Sequence, residues 1–217
     1  MSRPKLLDLF AGAQGAAVGY ARAGFEVTAT DIEPHDRHPE VAEFFTADAL
    51  DVLRDHIYLH SFDVITGGPP CQAFTKAQRI QGNEHPNLID PMRLACQRAG
   101  IPYVIENVPG APLVNPVELC GCMFPGLGVY RERWFESPLL TMAPQHQPHT
   151  QPLVKMGRPP KPGHRMHVVG NFSGVAQARV AMGIDWMSRD DLREAIPPAY
   201  TEWIGRQVMA ALKEVAA

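Results

Sequence analysis

Two short stretches of the 217-residue chain carry side chains able to make and break bonds. The first is Gly67-Gly68-Pro69-Pro70-Cys71-Gln72, which follows the apolar run 62–66. An isolated cysteine reads best as a small core hydrophobe. Here two glycines and two prolines shape the backbone ahead of it, so the chain itself aims the thiol. Its thiolate is a nucleophile if cations or backbone donors lower its pKa. The second stretch, Val104-Ile105-Glu106-Asn107-Val108-Pro109, closes an apolar run with a glutamate. An apolar setting raises such a carboxyl and lets it donate a proton. Arg131-Glu132-Arg133 puts two arginines on one face of a strand expected over 129–136. They suit a phosphate or a carbonyl oxygen, although the triplet alone reads as a solvated salt-bridge face.

A third group points to a cofactor. Asp8-Leu9-Phe10-Ala11-Gly12-Ala13-Gln14-Gly15 stands between a strand and a helix. Glycines there let backbone approach a ligand, and the helix N-terminus offers free N–H groups. Asp31, ending the next strand, is placed for a ribose hydroxyl. Asp48 follows a third strand and is suited equally to an adenine amino group and to capping a helix over 49–57. These features leave NAD and S-adenosylmethionine both open.

The elements that must position these groups follow from hydrophobic period and punctuation. Strands are expected at 5–10, 25–30, 44–46, 62–66 and 102–106. Helices are expected at 16–23, ended by Gly24, at 49–57 and at 87–99. Their alternation implies a doubly wound, mostly parallel α/β sheet, with Cys71 and Glu106 at its carboxyl edge. Residues 141–166 are rich in Pro, Gln and His and read as a long loop or arm. Residues 182–198 read as a small helical piece, and 201–215 as an amphipathic helix.

Composition narrows the classes. There are 20 basic and 23 acidic side chains, a net charge of −3. No acid stands between Glu136 and Asp185, where Lys155, Arg158, Lys161, Arg165 and Arg179 give +5; the remainder is −8. An acidic body therefore carries a basic arm able to neutralise a few phosphates. No apolar run is long enough for a membrane span, and the N-terminus does not read as a signal peptide. Four cysteines do not make a disulfide framework, so a reducing cytoplasmic setting is expected. Cys120 and Cys122 lack a second cysteine pair at zinc spacing and read as structural. His146, His149, His164 and His167 read as solvated loop residues, so no metal is expected.

Taken in order, DLFAGAQG (8–15), TD (30–31), TADAL (46–50), GGPPCQAFT (67–75), IENVPG (105–110), RERWFE (131–136) and AIPPAY (195–200) resemble the DNA cytosine-5 methyltransferase family across nearly the whole chain. The resemblance implies a Rossmann-like fold and S-adenosylmethionine as cofactor, held by Phe10, Ala11, Gly12, Gly15, Asp31, Ile32, Asp48, Ala49 and Pro70. It implies double-stranded DNA as partner and a flipped cytosine attacked at C6 by Cys71. Glu106 would hold the N3 and amino edge, Arg133 the ring carbonyl, and Arg131 would orient the loop. Gln72, Lys155, Arg158, Lys161 and Arg165 are the expected nucleic-acid contacts. The expected organisation is a catalytic core over 1–140, a short recognition arm over 141–180 and a C-terminal segment over 181–217 packing back, in a monomer. The size resembles phage-encoded or orphan modification enzymes.

Three departures stand out. Gln14 replaces a glycine of the usual pair and is strained if that position needs a positive φ. Arg193-Glu194 replace the Gly-Asn that usually opens the last motif. Only about 60 residues separate Arg133 from Arg193, where relatives carry a large recognition domain. Rival readings are a tRNA cytosine-5 methyltransferase, a catalytically dead nucleic-acid-binding relative and, more distantly, a nicotinamide dehydrogenase.

Overall fold

A computed structural model describes residues 2–71, 86–140 and 142–215. Its centre is a seven-stranded sheet: β1 (Lys5–Leu9), β2 (Glu26–Asp31), β3 (Glu43–Thr46), β4 (Val64–Gly67), β5 (Tyr103–Asn107), β6 (Val117–Leu119) and β7 (Arg133–Glu136). The order is β3-β2-β1-β4-β5-β7-β6, and β7 alone runs against its neighbours. The doubly wound, mostly parallel sheet expected from the sequence is thus present. Order reverses between β1 and β4, the place where such sheets bind ligands.

Alternation along each strand sends neighbouring residues to opposite faces. Leu6, Val27, Val64 and Val104 pack under α1 (Gly15–Ala23) and α7 (Pro198–Val215), with Tyr200, Ile204 and Val208 fully buried. Leu7, Leu9, Ile65 and Ile105 pack on the other face under α2 (Ala49–Arg54), α3 (His56–Leu59) and α4 (Ile89–Ala99). Gly19 allows α1 and α7 to touch, because a Cβ there would stand 2.2 Å from the Pro198 carbonyl oxygen.

A third apolar cluster lies outside these layers. Val129, Val154, Met166, Val168 and Phe172 meet α5 (Val175–Met182) and Leu192 of α6 (Arg189–Glu194). The Pro-rich stretch therefore carries its own small core. Isolated bridges join Val129 to Met166 and Leu153 to Arg165.

Several boundaries differ from expectation for local reasons. The helix expected over 49–57 breaks at Asp55, whose carboxylate caps α3 by accepting from the Tyr58 N–H. The strand expected over 129–136 is regular only from Arg133, because Arg131 sits at φ 42° and turns the chain. α5 and β6 were not legible from periodicity. Among the described residues no helix is long and apolar enough to cross a membrane.

Candidate active site

Cys71 and Glu106 follow adjacent parallel strands. β4 pairs with β5 in the register Gly67↔Ile105, which brings the two motifs to one edge. Asn107 locks them together: its side-chain amide donates to the Pro69 carbonyl at 2.9 Å. The sequence signal for this was present, since Asn107 is the next residue in the same motif, but its partner is a backbone oxygen. Gly68 is small for a stated reason. A Cβ there would lie 2.8 Å from Glu106 Oε2.

Arg133 opens β7 and extends toward the same carboxylate, with Nε 3.0 Å from Glu106 Oε1. The contact is an ion pair without hydrogen-bond alignment, and Oε1 is buried with no hydrogen-bond partner among the described residues. Burial pushes the Glu106 carboxyl above the usual range, while Arg133 and Arg131 pull it partly back. Burial likewise pushes the Cys71 thiol up; Arg133 lowers it and Glu106 raises it. The condition set on the thiol, a pKa lowered by cations or backbone donors, is not met in the free protein. In the free protein desolvation outweighs the two arginines.

Arg131 is also corrected. It does not share a strand face with Arg133. Its Nε donates to the Ala195 carbonyl at 2.6 Å, Nη1 to Val168 at 2.9 Å and Nη2 to Arg193 at 2.8 Å. Burial and neighbouring Arg133 bring its pKa down to about 9, so it stays charged at neutral pH. Tyr200 braces the same turn, donating to the carbonyls of Tyr130 and Arg131. One Arg131 acceptor, Arg193, belongs to the pair that departs from the usual motif, and another, Ala195, follows it directly. They are backbone oxygens, indifferent to which side chains stand at 193–195.

At the switch point, Gly12 has φ 48° and open space where a Cβ would stand. Its N–H donates to Asp31 Oδ2 at 2.8 Å, and Asp31 Oδ1 accepts from the Glu33 N–H. Phe10 is half-buried at φ 57°, Ala11 donates to the Thr30 carbonyl, and Ile32 is 65% exposed. Pro70 is exposed near the same edge. An open glycine turn, a carboxylate and an exposed apolar side chain fit an adenosine-type group.

Other residues expected at the cofactor also make contacts within the fold. Gly15 is packed under the C-terminal segment, where a Cβ would meet the Ile196 oxygen at 2.6 Å. Ala49 opens α2 and is buried in the core. Asp48 caps α2, accepting from the Leu50 N–H at 2.7 Å. Gln14 does adopt the left-handed conformation, at φ 67°. Its amide compensates by donating to the Asp36 carbonyl and accepting from the His38 N–H.

The basic arm divides. Lys155, Arg158 and Lys161 are exposed. Arg165 is not free for phosphate. It donates to the carbonyls of Leu127 and Val129 and lies over the Tyr130 ring. Gln72 lies outside the described residues. Between the arm and β7 is a cleft of ≈ 310 Å³ lined in part by Arg131, Arg133, Tyr130 and His167. The arm also returns His146 and His149 to Cys120 and Cys122, a grouping that sequence spacing did not suggest.

Comparison with known proteins matches residues 4–115 to the C-5 cytosine-specific DNA methylase family. Type II methyltransferase M.HgiDI of Herpetosiphon aurantiacus is 30% identical over 190 residues, covering 82% of this chain and 57% of that protein. M.HgiGI of the same organism is 36% identical over 122 residues, 50% of this chain and 94% of that one. The chain spans 23% of M1.HphI of Haemophilus parahaemolyticus, with 38% identity over 84 residues. Among solved structures, a DNA modification methyltransferase encoded within an E. coli prophage has TM-score 0.68 at 15% identity, covering 97% of this chain and 99% of its own.

Proposed function

Because the chain belongs to the C-5 cytosine-specific DNA methylase family, we propose that it moves a methyl group from S-adenosylmethionine to C5 of cytosine in DNA, with Cys71 as nucleophile. The observation that carries this reading is the Glu106 carboxyl. It is half-buried, raised in pKa and paired with Arg133, and its Oε1 is buried without a hydrogen bond among the described residues, beside the loop that ends in Cys71. Such a group suits the N3 and amino edge of a cytosine taken out of its stack.

The Gly12 turn, Asp31 and Ile32 would hold the adenosine moiety of S-adenosylmethionine. When bound, that group supplies an electrophilic methyl at the sheet edge. Cytosine C5 is a poor nucleophile until C6 is substituted. Cys71 Sγ, giving up its proton to solvent as the base docks, forms a bond to C6 and sends electron density toward C5. Glu106 holds a proton at N3 and so accepts the charge that the attack develops in the ring. Arg133 fixes the carboxylate and faces the ring carbonyl. After transfer the C5 proton leaves and the Cys71–C6 bond breaks, releasing 5-methylcytosine. Arg131 is a positioning residue: it ties the start of β7 to the arm and to the segment before α7. Lys155, Arg158 and Lys161 would meet phosphates, and Arg165 holds the arm's shape.

The test is transfer of a labelled methyl group to mixed-sequence duplex DNA, with tRNA in parallel. Labelling of DNA and a stable adduct on duplex containing 5-fluorocytosine are expected. Cys71→Ser should lower transfer by at least about 10³-fold and abolish the adduct. Equal transfer by wild type and Cys71→Ser overturns the nucleophile. Labelling of tRNA alone overturns the substrate.

A further inference from the structure

Cys120, directly after β6, stands at the start of the short 3₁₀ turn Gly121–Met123 that carries Cys122. Their sulfurs are 3.2 Å apart. From the arm, His149 brings Nε2 to 3.2 Å from Cys120 Sγ, and His146 brings Nε2 to 3.8 Å from Cys122 Sγ. One donor atom from each of the four lies within 4.8 Å of all the others. A tetrahedral ion with bonds of about 2.0–2.3 Å to nitrogen and sulfur separates its donors by about 3.3–3.8 Å. The four donors need move only by fractions of an ångström to meet that shape.

The surroundings prepare the ring and the charge. His149 stacks on Tyr130, with centroids 3.7 Å apart. Glu132 Oε1 is 3.9 Å from His149 Nε2, and Glu118 Oε1 is 4.0 Å from His146 Nε2, so the local field favours a cation. Cys120 is fully buried, with its sulfur held beside that of Cys122. A divalent ion bound between two thiols replaces their protons.

We propose that Cys120, Cys122, His146 and His149 form a structural zinc site that fastens the basic arm to the catalytic edge. Two S–H protons pass to solvent, two Zn–S bonds form, and each neutral imidazole binds through one nitrogen. A mixed sulfur–nitrogen tetrahedron favours zinc, and a complete set of four protein ligands is the structural rather than the catalytic arrangement. The location explains what the ion would do. Leu119 pairs with Arg133, so the turn carrying the sulfurs stands next to the residues facing Glu106. The arm's own apolar cluster does not include 142–150. Zinc would supply the tie that packing there does not.

The experiment uses full-length, tag-free protein expressed with added zinc and purified without chelator. Elemental analysis should find about one zinc per chain. Replacement by cobalt(II) should give the ligand-field bands of a tetrahedral site together with thiolate-to-cobalt charge transfer. Two of the four thiols should become reactive only after chelator is added. Cys122→Ser and His146→Ala should each lower zinc retention against a chelator by at least about tenfold, while Cys71→Ser and His164→Ala keep it. Zinc below about a tenth per chain with no tetrahedral cobalt spectrum overturns the proposal. So does a Cys120–Cys122 disulfide in freshly purified protein. The cobalt spectrum and thiol count on wild type keep the test decisive if a variant fails to fold. None of these readouts depends on methyl transfer.

Discussion

The two halves of the sheet are held by different forces. From β3 to β5 the strands are parallel, and apolar side chains from β1, β2, β4 and β5 pack under helices on the two faces, so packing dominates there. From β7 outward the strands are short; Phe135 and Leu119 still reach the core, but cationic and polar ties are added to that packing. Arg93 grips Glu136 with both ends of its guanidinium, at 2.7 Å each, and the Tyr103 hydroxyl and Val114 N–H also donate to that carboxylate. Arg131 and Arg165 collect backbone carbonyls. A buried carboxylate illustrates the contrast in each half. Asp8 in β1 has the Thr66 hydroxyl but no cation, and burial raises it to about 7 against the Thr66 bond. For Glu136 burial pushes upward too, yet Arg93 and the other donors prevail and the pKa falls below the ordinary range.

The largest effect should come from cutting the polar half at its anchor. Glu136→Gln removes the buried charge partner of Arg93 and leaves it only the exposed Asp90, and urea unfolding at neutral pH should show a loss of about 3 kcal/mol. A loss below about 1 kcal/mol would mean that packing holds this half as well. Next, Arg131→Lys gives up the planar fork that reaches three carbonyls. A stability loss of about 2–3 kcal/mol is expected, with a lower kcat/KM and little change in the KM for the methyl donor. If KM for the donor changed most, Arg131 would belong to the other half.

Asp8→Asn tests the apolar half. The Asp8 carboxyl is raised from its ordinary 3.8 to about 7, so the folded chain holds a proton that the unfolded chain has lost. Its contribution is complete below pH 3.8 and declines as pH rises toward 7. Removing it should take about 1.4 kcal/mol per pH unit out of the downward slope in that window and raise stability at pH 8. Glu136 acts with the opposite sign: its contribution is present at neutral pH and is lost as acid carries the carboxylate through its lowered pKa. A stability profile unchanged by Asp8→Asn would remove the contrast. The smallest effect concerns binding. Alanine at Lys155, Arg158 and Lys161 together should reduce the slope of log affinity for duplex DNA against log salt by about 2–3. Arg165→Ala should instead loosen the arm, visible as faster proteolysis there.

The same contrast governs what the sequence reveals. The β1–β5 half is legible because its signals are local: alternation, Gly24 closing α1, and a Gly-Pro run aiming Cys71. The edge carrying Cys71 and Glu106 follows from strand order alone. The other half depends on partners distant in the chain. Arg131 and Arg133 look alike as a triplet, but a φ of 42° sends one to carbonyls more than 30 residues away. Arg165 counts as a phosphate ligand until its carbonyl acceptors are known. Cys120 and His149 stand 29 residues apart, and no periodicity joins them. Asp48 was open between two roles, and its capping bond is the one the fold displays.

The reversed direction of β7 has a consequence for the route of the arm. Parallel strands deliver the chain to the reactive edge, whereas β7 departs from it and releases the chain at Glu136 on the far side. The arm must therefore make a return journey before His146 and His149 can stand beside Cys120. Both ends of that journey are moored, at the Arg93–Glu136 pair and at the sulfur–imidazole cluster. Extra residues between 137 and 145 would add slack to the route without shifting either mooring. This is the stretch in which the chain can lengthen while its two halves keep their registry.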